Sequence, residues 1–157
     1  MTHMSNMTND NALWGLPDPY HQAEFYADVP AKRLLAWGLD MVVIVGLTAL
    51  SVVFTAGIGL FFIGFLFMVI GFMYRVVTLA NSSATLGMRI AAIELRTHRG
   101  ERLGLGGAFL HTLGYSVSMT MVLPQLISVV LMMTNPRGQG LSDLVLGTAA
   151  INRRGQV

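Results

Sequence analysis

Residues 31–56 read AKRLLAWGLDMVVIVGLTALSVVFTA, and residues 58–80 read IGLFFIGFLFMVIGFMYRVVTLA. Each run supplies the ~20 mostly apolar residues that a helix needs to cross a bilayer. Only a glycine-rich turn, Gly57 to Gly59, joins them. So short a join makes consecutive spans antiparallel, and the pair reads as a helical hairpin. Lys32 and Arg33 stand just before the first run, with Trp37 one turn inside it. Basic residues flank spans on the cytoplasmic side. The first helix is therefore expected to start in the cytoplasm, and the chain to return there near Arg75.

The composition agrees with that reading. Hydrophobic residues make up 54% of the 157 and charged residues 11%, against about 25% charged in a soluble domain. Mean hydropathy is +0.61. Charges this few cannot cover a water-facing surface. The fold class expected is an all-α polytopic membrane protein: a helical hairpin, a third hydrophobic region, and a small β-element on the cytoplasmic side. The net charge is +2, and cysteine is absent, which excludes disulfides and thiolate chemistry.

Three segments follow. Residues 1–30 form a polar, acidic tail with prolines at 17, 19 and 30. Trp14, Tyr20, Phe25 and Tyr26 in it suit a membrane interface. No basic residue precedes Lys32, so the first apolar run is expected to stay as a signal-anchor rather than be cleaved. Residues 31–154 form the transmembrane domain, and 155–157 the C-terminal end.

Within the domain, Asn81 to Gly104 is basic, with Arg89, Arg96, Arg99, Arg102 and His98. That excess favours the cytoplasm, and anionic lipid headgroups are the nearest partner for its arginines. MRIAAIEL (88–95) has β-type residues and HRGE (98–101) can turn, which predicts two short strands; an interfacial helix is the alternative. Leu105 to Thr134 is long for one span and short for two, and Pro124 marks a kink or the bend of a re-entrant pair. LVLGTAAI (144–151) is too short to span and reads as a strand able to pair with MRIAAIEL. Arginines at 137, 153 and 154 argue for a cytoplasmic C-terminus, hence an even number of crossings; a single tilted third helix with an outward C-terminus is the alternative.

Charges in or beside the bilayer single themselves out. A carboxylate at a helix centre costs ~2.5–3.5 kcal/mol on the mildest scale, so Asp40 calls for a partner. Arg33 lies ~10.5 Å away along the axis, too far to reach easily; Arg75, near the end of the second run, is the candidate. Asp40 with Arg75 is one reading, an ion or proton site; a structural ion pair is the other. Arg75 alone could also snorkel to the interface. The histidines at 3, 21, 98 and 111 form no ligand motif, so neither a metal nor a cofactor is expected. GLGLGGAF lacks the end of a phosphate loop. Nucleic acid is not an expected partner.

RLLAWGLD (33–40), TLGMRIAAIELRTHRGERLGLGGAFL (85–110) and QGLSDLVLGTAAI (139–151) together resemble the RDD family of small bacterial membrane proteins. Arg33 matches the family's arginine, Asp40 its first aspartate and Asp143 its second, in a D-x-x-x-G-T segment. Gly87 matches the glycine of the T-L-G segment. Ser142 departs from the histidine that many relatives carry before the second aspartate. The resemblance covers roughly Pro30 to Arg154. It implies a protein of the bacterial inner membrane; the apolar runs and the basic pair before the first add that the protein is multi-pass with its N-terminus in the cytoplasm. Transport, including cation/proton exchange, has been proposed for the family. Two functions are therefore expected: a small transporter or transporter subunit for a cation or small solute, or a non-catalytic scaffold or accessory protein whose charges are structural. An enzyme is not expected. Membrane lipids, a second copy or another membrane protein are the partners expected.

Overall fold

A computed structural model describes residues 15–153. Trp14, Arg154 and the end at 155–157 lie outside the described residues. The fold is a mostly helical membrane protein with one small sheet, as expected. Helix α1 spans Val29–Phe54, 26 residues or about 39 Å. Pro30 sits at its start, where a missing N–H costs nothing. Its buried residues Ala36, Asp40, Ile44 and Thr48 recur every four positions and make one inward stripe. Leu34, Val42, Val45 and Val53 face outward and are exposed. Small and polar residues inside with apolar ones outside is the pattern of a helix in lipid.

The turn after α1 uses Gly57 in the left-handed region (φ 85°). A 3-10 turn, Ile58–Phe62, then leads into α2, Ile63–Ser82. The second apolar run therefore starts with a tight turn, and regular helix begins five residues later than its first residue. The segments Ala23–Phe54 and Ile58–Ser82 are each long and apolar enough to cross a membrane, with mean hydropathies of 2.0 and 2.2. Gly71 on α2 lets Ile44 of α1 lie against the backbone.

Ser83, at a φ of 54°, ends α2, and a short helix α3 follows at Leu86–Ile90. Strand β1, Ile93–Arg96, pairs antiparallel with β2, Ala149–Asn152, in the register Ile93↔Asn152 to Arg96↔Ala149. The pairing expected between MRIAAIEL and LVLGTAAI is thus present over their second halves. Their first halves are helical, because Thr85 and Gly140 start helices just upstream. The local hairpin expected around HRGE shrinks to one bridge, Arg96↔Arg102.

The third hydrophobic region is two helices, α4 (Leu105–Thr120) and α5 (Val122–Thr134), bent by 117° at Met121. Pro124 is not at the break. It lies in the first turn of α5, where its lost donor is harmless. Helix α6, Leu141–Leu146, leads into β2. Val29, Ile93, Leu95, Leu103, Ala108 and Ala150 form the main core, at the end of the bundle that holds the sheet. The start of α1, the end of α2 and the return from α5 all meet there: Lys32 Nζ donates to Asn152 at 2.7 Å, and the Leu103 amide to Ser83 Oγ at 2.7 Å.

Candidate functional site

Asp40 is 4% exposed and sits under the start of α3. Three donors converge on its carboxylate: Tyr74 Oη (2.6 Å) and the Gly87 amide (2.9 Å) on Oδ1, and Thr85 Oγ1 (2.6 Å) on Oδ2. The T-L-G segment has a physical reason. Thr85 is the N-cap of α3; its hydroxyl accepts from the Met88 amide at 3.2 Å while donating to Asp40. Gly87 touches the α1 backbone, and a Cβ there would lie 2.1 Å from the Ala36 carbonyl oxygen. Tyr74 completes the join by accepting from the Leu86 amide at 3.1 Å. Asp40 therefore clasps α3 to α1 and α2. The charge expected for this clasp, Arg75, is not among its hydrogen-bond partners.

Asp143 is fully buried in the first turn of α6. It accepts from Arg33 Nη1 at 2.6 Å, Thr148 Oγ1 at 2.9 Å and the Gly140 amide at 3.0 Å, and lies 2.9 Å from His111 Nε2. The D-x-x-x-G-T spacing is a helix stop: Gly147, in the left-handed region at φ 67°, ends α6 and turns Thr148 back onto the aspartate. Burial by itself pushes the Asp143 carboxyl up. The Arg33 guanidinium, the His111 contact and charge, and the Gly140 amide outweigh it and hold the carboxyl well below the usual range. No local motif marks His111, because its partner is 32 residues away. With Ser142 beside Asp143, it is α4 that brings an imidazole to this aspartate.

Between α1, α2, α4 and α5 lies a cavity of about 640 Å³, within the size range of small-molecule sites. Arg33 and Asp143 stand at one part of its wall, and Arg75 and Tyr115 at another. Helix α4 turns one face to it, carrying His111, Thr112, Tyr115 and Ser118 at helical spacing. Arg75 is held over the Tyr115 ring, 4.5 Å from its centroid, with long contacts of 3.4 Å to Tyr115 Oη and the Gly71 carbonyl. Trp37 Nε1 donates to the same Tyr115 oxygen at 2.8 Å. The remaining lining is largely apolar, with Leu34, Val129 and Met133 exposed at its rim.

The other arginines divide. Arg96 pairs with Glu94 beside it, as does Arg153 at 3.3 Å. Arg89, Arg99 and Arg102 are exposed near the sheet. Among the described residues, no cluster of histidine and acidic side chains could hold a metal ion.

The model of the RDD family matches residues 28–147, well over half of the chain. The match takes in Arg33, Asp40, Gly87, Asp143 and Gly147. No curated protein and no solved structure matches the chain.

Proposed function

The chain belongs to the RDD family of membrane proteins, and from that premise we propose that it is a solute-binding subunit of a membrane transporter, with the cavity as its site and the signature charges as its frame. The cavity carries the reading: it combines an exposed apolar rim with a buried polar wall. Asp40 and Asp143 support it by their occupation. Each carboxylate already has its oxygens engaged by buried donors. A cation or exchanging proton at Asp40 would have the remaining lone pair of Oδ2, beside Thr85, as its place. The same occupation favours a second reading, a non-catalytic scaffold in which all three charges are structural. In either role the protein is read as non-enzymatic.

The location follows from charge. Lys32, Arg33, Arg89, Arg99 and Arg102 gather at the sheet end of the bundle, which supports placing that end in the cytoplasm of a bacterial inner membrane. With both α1 and the return from α5 starting and ending there, α1 and α2 cross, and α4–α5 form a re-entrant pair. Met121 at the break is 57% exposed on this chain, so in a re-entrant pair its backbone calls for cover from a second copy or another membrane protein. The exposed arginines of this end suit anionic headgroups, and the apolar outer faces leave room for a second copy or another membrane protein.

Native mass spectrometry of protein taken from its membrane tests the solute site. Wild-type protein is expected to carry a small-molecule mass that Val129→Trp, which fills the rim, does not. Bare protein in both samples would refute solute binding and leave the scaffold.

A further inference from the structure

The cavity places a guanidinium that makes no ion pair against a largely apolar wall. We propose that its occupant is an amphipathic anion, an acyl chain ending in one carboxylate or phosphate, with the charge held by Arg75. This rests on the cavity being a solute site and names the solute's class.

Arg75 lies seven residues before the end of α2, about 10 Å along the axis from the sheet end. Among the described residues no carboxylate comes within 4.0 Å of it. Of the other charges on the wall, Arg33 pairs with Asp143, and Asp40 lies beyond 4.0 Å from Arg75 with its oxygens held by three neutral donors. A guanidinium has five N–H donors. Those of Arg75 make only two contacts, both at 3.4 Å and both to neutral oxygens, beyond the 2.7–3.2 Å of a good N–H···O bond. A planar two-oxygen anion fits the fork that remains.

A second group points the same way. Thr112 is 1% exposed and lines the cavity, and its hydroxyl has no hydrogen-bond partner. It stands three residues from Tyr115 on the face of α4 that carries the Arg75 contact. A buried hydroxyl without a partner is costly, and an anion at Arg75 would supply an acceptor.

The rest of the lining sets the other half of the ligand. Met88, Met119, Met132 and Met133 lie along it, unbranched side chains that mould to an irregular chain. Helix α1 packs on α2, α3 and the strands rather than on α5. The rim between α1 and α5 is apolar, with Leu34 and Met133 exposed at 70% and 75%. An inorganic anion would leave this surface unused. A neutral lipid would leave Arg75 uncompensated.

Trp37 lines the cavity and reports on it. The chain has two tryptophans, so Trp14→Phe leaves Trp37 as the sole tryptophan, excited apart from the tyrosines at the red edge of its absorption. The purified protein in nonionic detergent is titrated with dibrominated phosphatidylglycerol, dibrominated phosphatidylcholine and dibromostearate, whose bromines quench on contact. Saturable quenching is expected for an anionic probe at an affinity about tenfold or more above phosphatidylcholine, the scale of one charge-assisted hydrogen bond. Arg75→Gln should erase that preference and Arg75→Lys retain part of it. Preference for phosphatidylglycerol alone makes the occupant a bilayer lipid; preference for stearate alone makes it a free amphiphile; both support the shared chemistry. Should Arg75→Gln not fold, Thr112→Val serves instead. It removes a hydroxyl that has no partner, so folding is expected to survive while anion affinity drops several-fold. Equal affinity for all three probes, unchanged by these substitutions, overturns the anion assignment and leaves a solute site. No saturable quenching by any probe overturns the solute site as well.

Discussion

Replacing Asp40 by alanine removes one acceptor and orphans three buried or half-buried donors, at 2.6, 2.6 and 2.9 Å. Each unpaired donor costs about 1–3 kcal/mol. The three belong to one network and cannot simply be added, and relaxation of the α3 turn recovers some of the loss. About 4 kcal/mol is the expected total, in the range seen when one side of a buried polar pair is removed. Asp40→Asn is a milder change. Its amide oxygen can keep Tyr74 and Gly87, and its NH2 then faces Thr85, whose hydroxyl already accepts from Met88. One donor loses its acceptor, at about 1–2 kcal/mol. Both are measured by titrating purified protein from nonionic detergent into SDS and following Trp37 fluorescence. Asp40→Ala within about 0.5 kcal/mol of wild type, the scatter of neutral surface changes, would refute the clasp. Asp40→Asn as damaging as alanine would show that charge, not acceptor geometry, holds α3.

Gly87→Ala drives a methyl to 2.1 Å from the Ala36 carbonyl; α3 must lift from α1, and a loss of about 3 kcal/mol is expected in the same titration. The Asp143 carboxyl has a lowered folded-state pKa, so its contribution is complete above its ordinary value of 3.8 and is lost as pH falls below it. The stability difference between wild type and Asp143→Asn should accordingly not shrink between pH 7 and about 4 and should shrink under stronger acid; a difference already shrinking at pH 6 would contradict the saturated site. The chain has no cysteine, which permits single-cysteine labelling in vesicles. Arg99→Cys and Arg137→Cys should react from one side and Ala56→Cys from the other; opposite labelling of positions 99 and 137 would rule out the re-entrant pair.

The two long helices are legible because membrane spans announce themselves by local hydropathy alone. Their boundaries in the fold, Val29–Phe54 and Ile63–Ser82, lie within five residues of the apolar runs. The break in the third region is less legible. Pro124 attracts attention, but a proline is harmless in a first turn, and the chain bends at Met121, which nothing local marks. MRI looks like strand by composition; the Thr85 cap and the Asp40 acceptor beneath it make it helix. The partners of Asp40 show the wider difficulty. A charge in lipid suggests an opposite charge, and Arg75 fits that expectation by position. The fold instead satisfies the carboxylate with two hydroxyls and an amide, all weak signals in sequence. His111 is silent for the same reason: its meaning depends on a residue brought near only by the fold of α4 against α6.

The two aspartate clasps also differ in when they can form. Asp40 and Gly87 are 47 residues apart, whereas Arg33 and Asp143 are 110 apart. At the ~5–20 residues per second of synthesis, the first clasp becomes available seconds after α1 leaves the ribosome, and the second several seconds later still. In that interval the nascent chain holds a finished hairpin with the guanidinium of Arg33 unanswered. Its stem suits the headgroup layer, so the bilayer can act as a provisional counter-ion until α6 arrives. A substitution at Asp143 would then leave insertion of the first two helices intact and surface as a late assembly defect, with degradation of a correctly inserted but unclosed chain.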